Sequence, residues 1–94
     1  MVSAIITYKV KSEKIKDFEE KAMAMIGLLR KNAKGLNDIK LYRNVEDFTE
    51  YIIYMEWENI TELMEFPFYS YFKDIMEYGS KNVLIEKPKL RILG

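Results

Sequence analysis

The sequence predicts a small α+β domain whose elements follow one another in the order β-α-β-β-α-β. Several segments alternate between two faces at every second residue, as strands do, and one long segment places apolar residues three and four positions apart, as helices do. A capping sequence marks the start of a second helix. With 94 residues the chain has the length of one domain, so we expect residues 1–94 to form a single unit.

The first predicted strand covers residues 2–10, which alternate and are rich in β-branched side chains. Its two faces carry Ala4, Ile6, Tyr8 and Val10 on one side and Ser3, Ile5, Thr7 and Lys9 on the other. Because both faces carry apolar residues, we predict a central position in the sheet.

An amphipathic helix is predicted over residues 13–33. Its apolar residues recur at helical spacing, at Ile15, Phe18, Ala22, Met25, Ile26 and Leu29. Ser12 precedes this segment and can cap the first turn by accepting a backbone N–H bond. Gly35 follows it and is suited to the left-handed backbone that ends many helices.

The next two strands differ in polarity. Residues 38–44 alternate apolar and charged side chains, which indicates an edge strand. Residues 50–57 are apolar on both faces, which indicates a central strand. One face of this strand carries Tyr51, Ile53, Met55 and Trp57, and the other carries Ile52, Tyr54 and Glu56.

Asn59 and Glu62 form a capping sequence for a second helix that begins at Ile60. A proline inside a continuous helix costs about 3 kcal/mol, so we expect a short first piece and a new start near Pro67. This second piece should end near Gly79, and residues 88–93 read as a last edge strand.

This order is the ferredoxin-like arrangement, a four-stranded antiparallel sheet with two helices on one face and the first and third strands in the middle. The opposite sheet face would still carry Ile5, Ile52 and Tyr54, or their counterparts in the other register. An apolar face of this kind is seldom left in water, and a second copy of the chain is its simplest cover. We therefore predict a homodimer, which would also stabilise so small a core.

Composition excludes several classes of function. The 15 basic and 15 acidic residues cancel and form no basic patch, which argues against nucleic-acid binding. The apolar run at residues 2–10 is too short to span a bilayer, and the lack of cysteine fits a cytoplasmic location. Without histidine or cysteine, the chain offers no ligands for a structural zinc and no Ser-His or Cys-His catalytic pair. We expect no metal.

Four segments resemble the antibiotic biosynthesis monooxygenase family. They are Tyr51-Ile-Ile-Tyr-Met-Glu-Trp57-Glu-Asn-Ile, the lead-in at residues 8–20, the Gly35 turn followed by Leu41-Tyr42-Arg43, and residues 68–72. The likeness covers nearly the whole chain. It implies a dimeric α/β barrel, in which the sheets of two subunits pack face to face.

The resemblance implies several possible activities. Some relatives oxidise phenolic polyketides or quinols with molecular oxygen and no cofactor, others cleave haem, and still others are isomerases or have no assigned reaction. Haem-cleaving relatives place a histidine on the second helix and an asparagine on the first strand. Here these regions offer Phe66-Pro67-Phe68 and the small polar residues Ser3 and Thr7, so the chain departs from the haem-cleaving pattern.

Aromatic residues are the first candidates for ligand binding. In the resembled family the residue at Trp57 lines a pocket between sheet and helices, although a core tryptophan is an equal alternative. Phe68 and Phe72 share one face of the aromatic second helix and could stack on a flat ring, whereas a bulky core face explains most aromatic residues of that helix.

Polar candidates are Tyr8, Tyr54 and Arg43. Either tyrosine could orient a substrate phenol, although tyrosines are common in strands for structural reasons. Arg43 could stabilise a phenolate, although arginines on edge strands more often form surface ion pairs of little energetic weight.

We expect a cofactor-independent monooxygenase-like protein that binds a planar phenol or quinol and needs no cofactor. The alternative is a non-catalytic dimer of the same fold that binds a small aromatic ligand or has a structural role. Isomerase or decarboxylase chemistry would need a base that the sequence does not locate.

Overall fold

The computed structural model describes residues 1–66, 77 and 81–94, and within them the elements follow the predicted order. The strands and helices are β1 (Val2–Lys9), α1 (Ile15–Asn32), β2 (Leu36–Arg43), β3 (Glu50–Trp57), α2 (Ile60–Glu65) and β4 (Lys89–Ile92). No helix in this part of the chain is long and apolar enough to cross a membrane.

The four strands form one antiparallel sheet in the order β2-β3-β1-β4. The predicted central positions of β1 and β3 and the predicted edge positions of β2 and β4 are therefore confirmed. The two central strands pair along their whole length, from Val2 opposite Trp57 to Lys9 opposite Glu50. On the other side of β3, the pairing with β2 is interrupted by a bulge between Leu36 and Asp38.

One sheet face forms the core together with both helices. The central strands contribute alternate residues that are almost completely buried, at Ala4, Ile6, Tyr8, Tyr51, Ile53, Met55 and Trp57. The apolar stripe of α1 covers them with Phe18, Ala22, Met25, Ile26 and Leu29, as the spacing predicted, and α2 adds Leu63. Burying these side chains is the main source of stability, at roughly 1.5–3 kcal/mol for each large apolar residue.

The opposite sheet face has no covering element in the described part of the chain. Its middle carries Ile5, Ile52 and Tyr54, which are half-buried by their strand neighbours, and charged residues surround them. The two faces predicted from alternation are thus confirmed.

Local helix signals had different outcomes. Asn59 caps α2 as predicted, because its Oδ1 accepts the Glu62 backbone N–H at 2.9 Å. The predicted Ser12 cap is wrong: a 3₁₀ turn at Ser12–Lys14 precedes α1, and the Ser12 hydroxyl donates to Glu13 instead. The predicted restart at Pro67 lies outside the described residues.

Gly35 connects α1 to β2 with a left-handed backbone of φ +84°. The site also has no room for a side chain, because an added Cβ would lie 2.7 Å from Cγ and 2.8 Å from Cβ of Glu62. Two independent constraints, backbone and space, therefore require glycine at this turn.

We predict that Gly35→Ala lowers the free energy of unfolding by about 1–3 kcal/mol, because alanine is strained in the left-handed region and Glu62 must move. Gly27→Ala is the matched control. Gly27 lies within α1 with nothing within 4 Å of an added Cβ, so alanine there should stabilise the helix by up to about 1 kcal/mol. Urea denaturation of both variants tests this, and an equal response at the two glycines would contradict it.

Candidate functional site

The structure separates the predicted site residues into different regions. Tyr8 and Trp57 both lie on the helix side of the sheet, but Tyr8 pairs with Tyr51 and Trp57 pairs with Val2, at opposite ends of β1 and β3. Trp57 lies six positions after Tyr51 along β3, a distance of roughly 20 Å. Phe68 and Phe72 lie outside the described residues.

Trp57 is part of the core. Its side chain has no exposed surface, and its ring packs against Phe66 with 5.7 Å between ring centroids. Its indole N–H has no hydrogen-bond partner among the described residues. Of the two roles left open by the sequence, the described contacts of Trp57 are those of a core residue.

Tyr54 lies on the open face, away from the helices. Its hydroxyl donates to Oε2 of Glu56 at 2.7 Å and lies 3.5 Å from the Ser3 hydroxyl. Glu56 points away from Trp57, as strand alternation predicted. Tyr54 and Tyr8 are therefore on opposite sides of the sheet and cannot act on one ligand within a subunit.

A row of three aromatic rings fills the other end of the helix-side layer. The ring centroid of Phe18 lies 5.2 Å from that of Tyr8 and 4.7 Å from that of Tyr51, and both pairs are tilted. Such pairs add about 0.5–1.5 kcal/mol beyond the area they bury. Burial raises the pKa of the Tyr8 phenol well above its ordinary value, because the phenolate would lose its hydration.

A polar cluster stands at the outer end of this aromatic row. The Tyr51 hydroxyl donates to Oε2 of Glu19, and Nη1 of Arg43 lies 3.7 Å from the same oxygen. The fold brings these residues together in two ways. Glu19 follows Phe18 on α1, so it lies beside the ring that packs on Tyr51, and Arg43 on β2 is the direct strand partner of Tyr51.

The protonation of this cluster follows from its surroundings. Burial raises the pKa of Tyr51, and the hydrogen bond to Glu19 raises it further, although the nearby Arg43 lowers it. Tyr51 therefore keeps its proton at neutral pH and remains a donor to Glu19. Arg43 is also held from the other side, since its guanidinium carbon lies 4.9 Å from the centre of the Phe48 ring.

The cluster borders an open cleft of about 380 Å³ lined by Glu19, Met23, Leu41, Arg43 and Tyr51. Its volume is within the range of small-ligand pockets. Met23 and Leu41 offer an apolar surface for a ring, and the charged groups offer hydrogen bonds at one side. Within the part of the chain that the structure describes, acidic side chains form no group that could hold a metal ion.

Of the candidates from the sequence, Arg43 lines this cleft and Tyr8 supports it from behind. Glu19 and Tyr51 were not singled out by sequence reasoning. The pairing of Tyr51 with Arg43 could have been derived by aligning the two strands across their turn. No sequence signal shows which polar residue of α1 lies against Tyr51.

Solved structures with the same fold come from several microorganisms. A conserved protein of Methanosarcina mazei Go1 is 22% identical, with a TM-score of 0.88 over 97% of this chain and 88% of that one. A candidate antibiotic biosynthesis monooxygenase of Nitrosomonas europaea is 15% identical, with a TM-score of 0.90 over 99% of this chain and 88% of that one. At these identities the likeness shows the fold alone.

The sequence also matches the model of a protein family. The model of the family described as "Antibiotic biosynthesis monooxygenase" matches residues 1–78, most of the chain. No functionally curated protein shows a significant match.

We predict that the buried Tyr8 makes folding stability fall at alkaline pH. The folded-state pKa of Tyr8 is above the unfolded value of about 10, so the folded state holds this proton more tightly. Its contribution is complete below about pH 10 and is lost as pH rises toward the folded pKa. Tyr8→Phe should therefore weaken the loss of stability between about pH 10 and pH 12.

Urea denaturation across this pH range measures the effect. The control is Tyr42→Phe, because Tyr42 is half exposed on the open face. Equal pH dependence in the wild type and in Tyr8→Phe would contradict the prediction. Some dependence should remain in Tyr8→Phe, since burial also raises the pKa of Tyr51.

Proposed function

Because the chain belongs to the antibiotic biosynthesis monooxygenase family, we propose that it is a cofactor-independent monooxygenase that oxidises a planar phenol or quinol with molecular oxygen. The observation that carries this proposal is the cleft beside Arg43, where a cation and an apolar surface meet at the end of a rigid aromatic row. Family membership supports oxygen chemistry, and the cleft supports the phenolic substrate class.

The substrate ring would lie on Met23 and Leu41, with its oxygen toward Arg43. A guanidinium stabilises a phenolate by charge and by hydrogen bonds. Arg43 is suited to this role because Phe48 and Glu19 restrict its position before a ligand arrives. A positioned donor costs less reorganisation during the reaction than a free one.

The proposed reaction converts a phenol and one oxygen molecule into a quinone and water. The ring gives up four electrons, one oxygen atom bonds to a ring carbon, and the other leaves as water with two hydrogens. The phenolate is the electron-rich form that reduces oxygen most readily. The protein therefore contributes by favouring the anion and by orienting the ring, and no cofactor takes part in this scheme.

The remaining candidate residues stay predictions. Pocket lining by Trp57 would require the helix–sheet layer to open beside it, because its side chain is fully buried. Phe68 and Phe72 lie outside the described residues, and their pocket role remains a prediction. Tyr54 could contact a ligand only at the open face. The alternative function, a dimer that binds an aromatic ligand without turnover, would use the same cleft.

We also propose that two copies associate through the open sheet face. Its central residues Ile5 and Ile52 are half-buried within one subunit, and a second sheet would remove the rest of their surface from water. The family resemblance supports this arrangement, since its members pack two sheets face to face. The cleft lies on the helix side, so the two proposals can be tested separately.

We predict that oxygen uptake with the best substrate of a phenol and quinol panel falls on the order of 10–100-fold in kcat/KM for Arg43→Ala. The reason is the lost stabilisation of the phenolate. An oxygen electrode measures the rate, and product absorbance confirms the quinone. Lys31→Ala removes an exposed cation of α1 outside the cleft and serves as the control.

Oxygen uptake that is unaffected by Arg43→Ala would contradict the proposed role of Arg43 and its cleft. Saturable binding of phenols to the wild type without any oxygen uptake across the panel would contradict the monooxygenase proposal and favour the non-catalytic alternative.

We predict that Ile52→Lys makes the protein monomeric, because it places a charge in the middle of the proposed interface. Analytical ultracentrifugation gives the mass directly. Leu28→Lys is the matched control, since Leu28 is an exposed apolar residue of α1 on the helix side. A monomeric wild type, or a dimer that survives Ile52→Lys, would contradict the proposed interface.

A further inference from the structure

We propose that the Glu19 carboxylate accepts a hydrogen bond from the substrate hydroxyl in the cleft and that its charge makes the cleft select neutral phenols over anionic rings. This inference rests on the proposed function, because it concerns the same cleft and the same substrate class. It adds a hydrogen-bond acceptor and a rule of selectivity to the role given to Arg43.

The two oxygens of the Glu19 carboxylate have different partners. The Tyr51 hydroxyl and the Arg43 guanidinium both lie at Oε2. Among the residues that the structure describes, Oε1 makes no hydrogen bond or ion pair. Glu19 lines the cleft, so Oε1 remains available as the acceptor for a ligand hydroxyl.

The charges of the cleft also distinguish between ligands. Glu19 and Arg43 carry opposite charges 3.7 Å apart, so the cleft has little net charge before a ligand binds. An anionic ligand would gain from Arg43 and lose to Glu19, whereas a neutral hydroxyl can donate to Oε1 without repulsion. The cleft should therefore bind neutral phenols in preference to aromatic carboxylates.

Ionisation of a bound phenol would respond to both charged side chains. When the hydroxyl proton is lost to solvent, the phenolate that remains is attracted by Arg43 and repelled by Glu19. The two side chains therefore act on the ionisation of the bound phenol in opposite directions.

Tyr51 is a positioning residue in this scheme. Its hydroxyl donates to Oε2 and thereby holds the Glu19 carboxylate at the side of the cleft. The raised pKa of Tyr51 keeps it a donor throughout the pH range in which phenols are bound neutral. Its ring is fixed by Phe18, so the direction of the hydroxyl does not depend on the ligand.

The test uses para-nitrophenol, whose phenolate absorbs visible light and whose neutral form does not. Absorbance titration of the bound ligand gives its ionisation constant without any turnover. Glu19→Gln should raise the ionisation constant of the bound phenol about tenfold or more, because the phenolate loses a negative neighbour and Arg43 loses its carboxylate partner. Arg43→Ala should lower the ionisation constant of the bound phenol.

Glu20→Gln is the matched control, since Glu20 is an exposed neighbour on α1 that does not line the cleft. Tyr51→Phe should shift the ionisation of the bound phenol in the same direction as Glu19→Gln but less. A purely structural role of Tyr51 would lower stability and leave this ionisation unchanged.

An unchanged ionisation constant in Glu19→Gln, or no binding of para-nitrophenol to the wild type at millimolar concentration, would overturn the inference. Shifted ionisation without oxygen uptake on any substrate would support the inference while contradicting the monooxygenase proposal. Oxygen uptake that needs Arg43, together with an unchanged ionisation constant in Glu19→Gln, would do the reverse.

Discussion

The antiparallel pairing of β1 with β3 is the interaction on which the rest of the structure depends. Their register aligns two rows of alternate apolar residues, from Tyr8 beside Tyr51 to Val2 beside Trp57. The rows form a flat apolar surface that α1 can cover with one helical stripe. A shift by one residue in either strand would turn that strand's apolar row toward the open face, so the burial energy of the core also holds the register.

The polar cluster is placed by the same register. Tyr51 ends the buried row, so its ring belongs to the core and its hydroxyl reaches the boundary of the core, where α1 presents Glu19. Arg43 arrives from the edge strand because β2 pairs with β3 at this position. The hydroxyl of Tyr51, the carboxylate of Glu19 and the guanidinium of Arg43 therefore lie together. Packing restricts them on the core side, and the solvent side is open to a ligand.

Much of the fold could be predicted because it depends on short-range patterns. Alternation gave the faces of β1 and β3, helical spacing gave the buried side of α1, and Gly35 and Asn59 marked boundaries by local chemistry. The Ser12 cap failed because a capping residue type does not decide whether the first turn is α or 3₁₀. The predictions for residues 68 and 72 remain untested, since both lie outside the residues that the structure describes.

The site was less predictable for a physical reason. An apolar stripe shows which side of α1 faces the sheet, but the shift of the helix along the sheet depends on how side chains interlock. That shift decides that Glu19 meets Tyr51. For Trp57 the sequence pattern was compatible with both a pocket and a core, and its contact with Phe66, just after α2, depends on tertiary packing that the pattern does not show.

The bulge between Leu36 and Asp38 has a consequence for the behaviour of the protein at high concentration. An edge strand with free N–H and C=O groups can recruit strands of other molecules and start aggregation. The bulge breaks the regular spacing at the start of β2, and the Asn37 side chain there donates to Glu58 of the chain's own β3–α2 turn. Lys40 and Arg43 add charge along the rest of that edge. This edge thus disfavours growth into fibres.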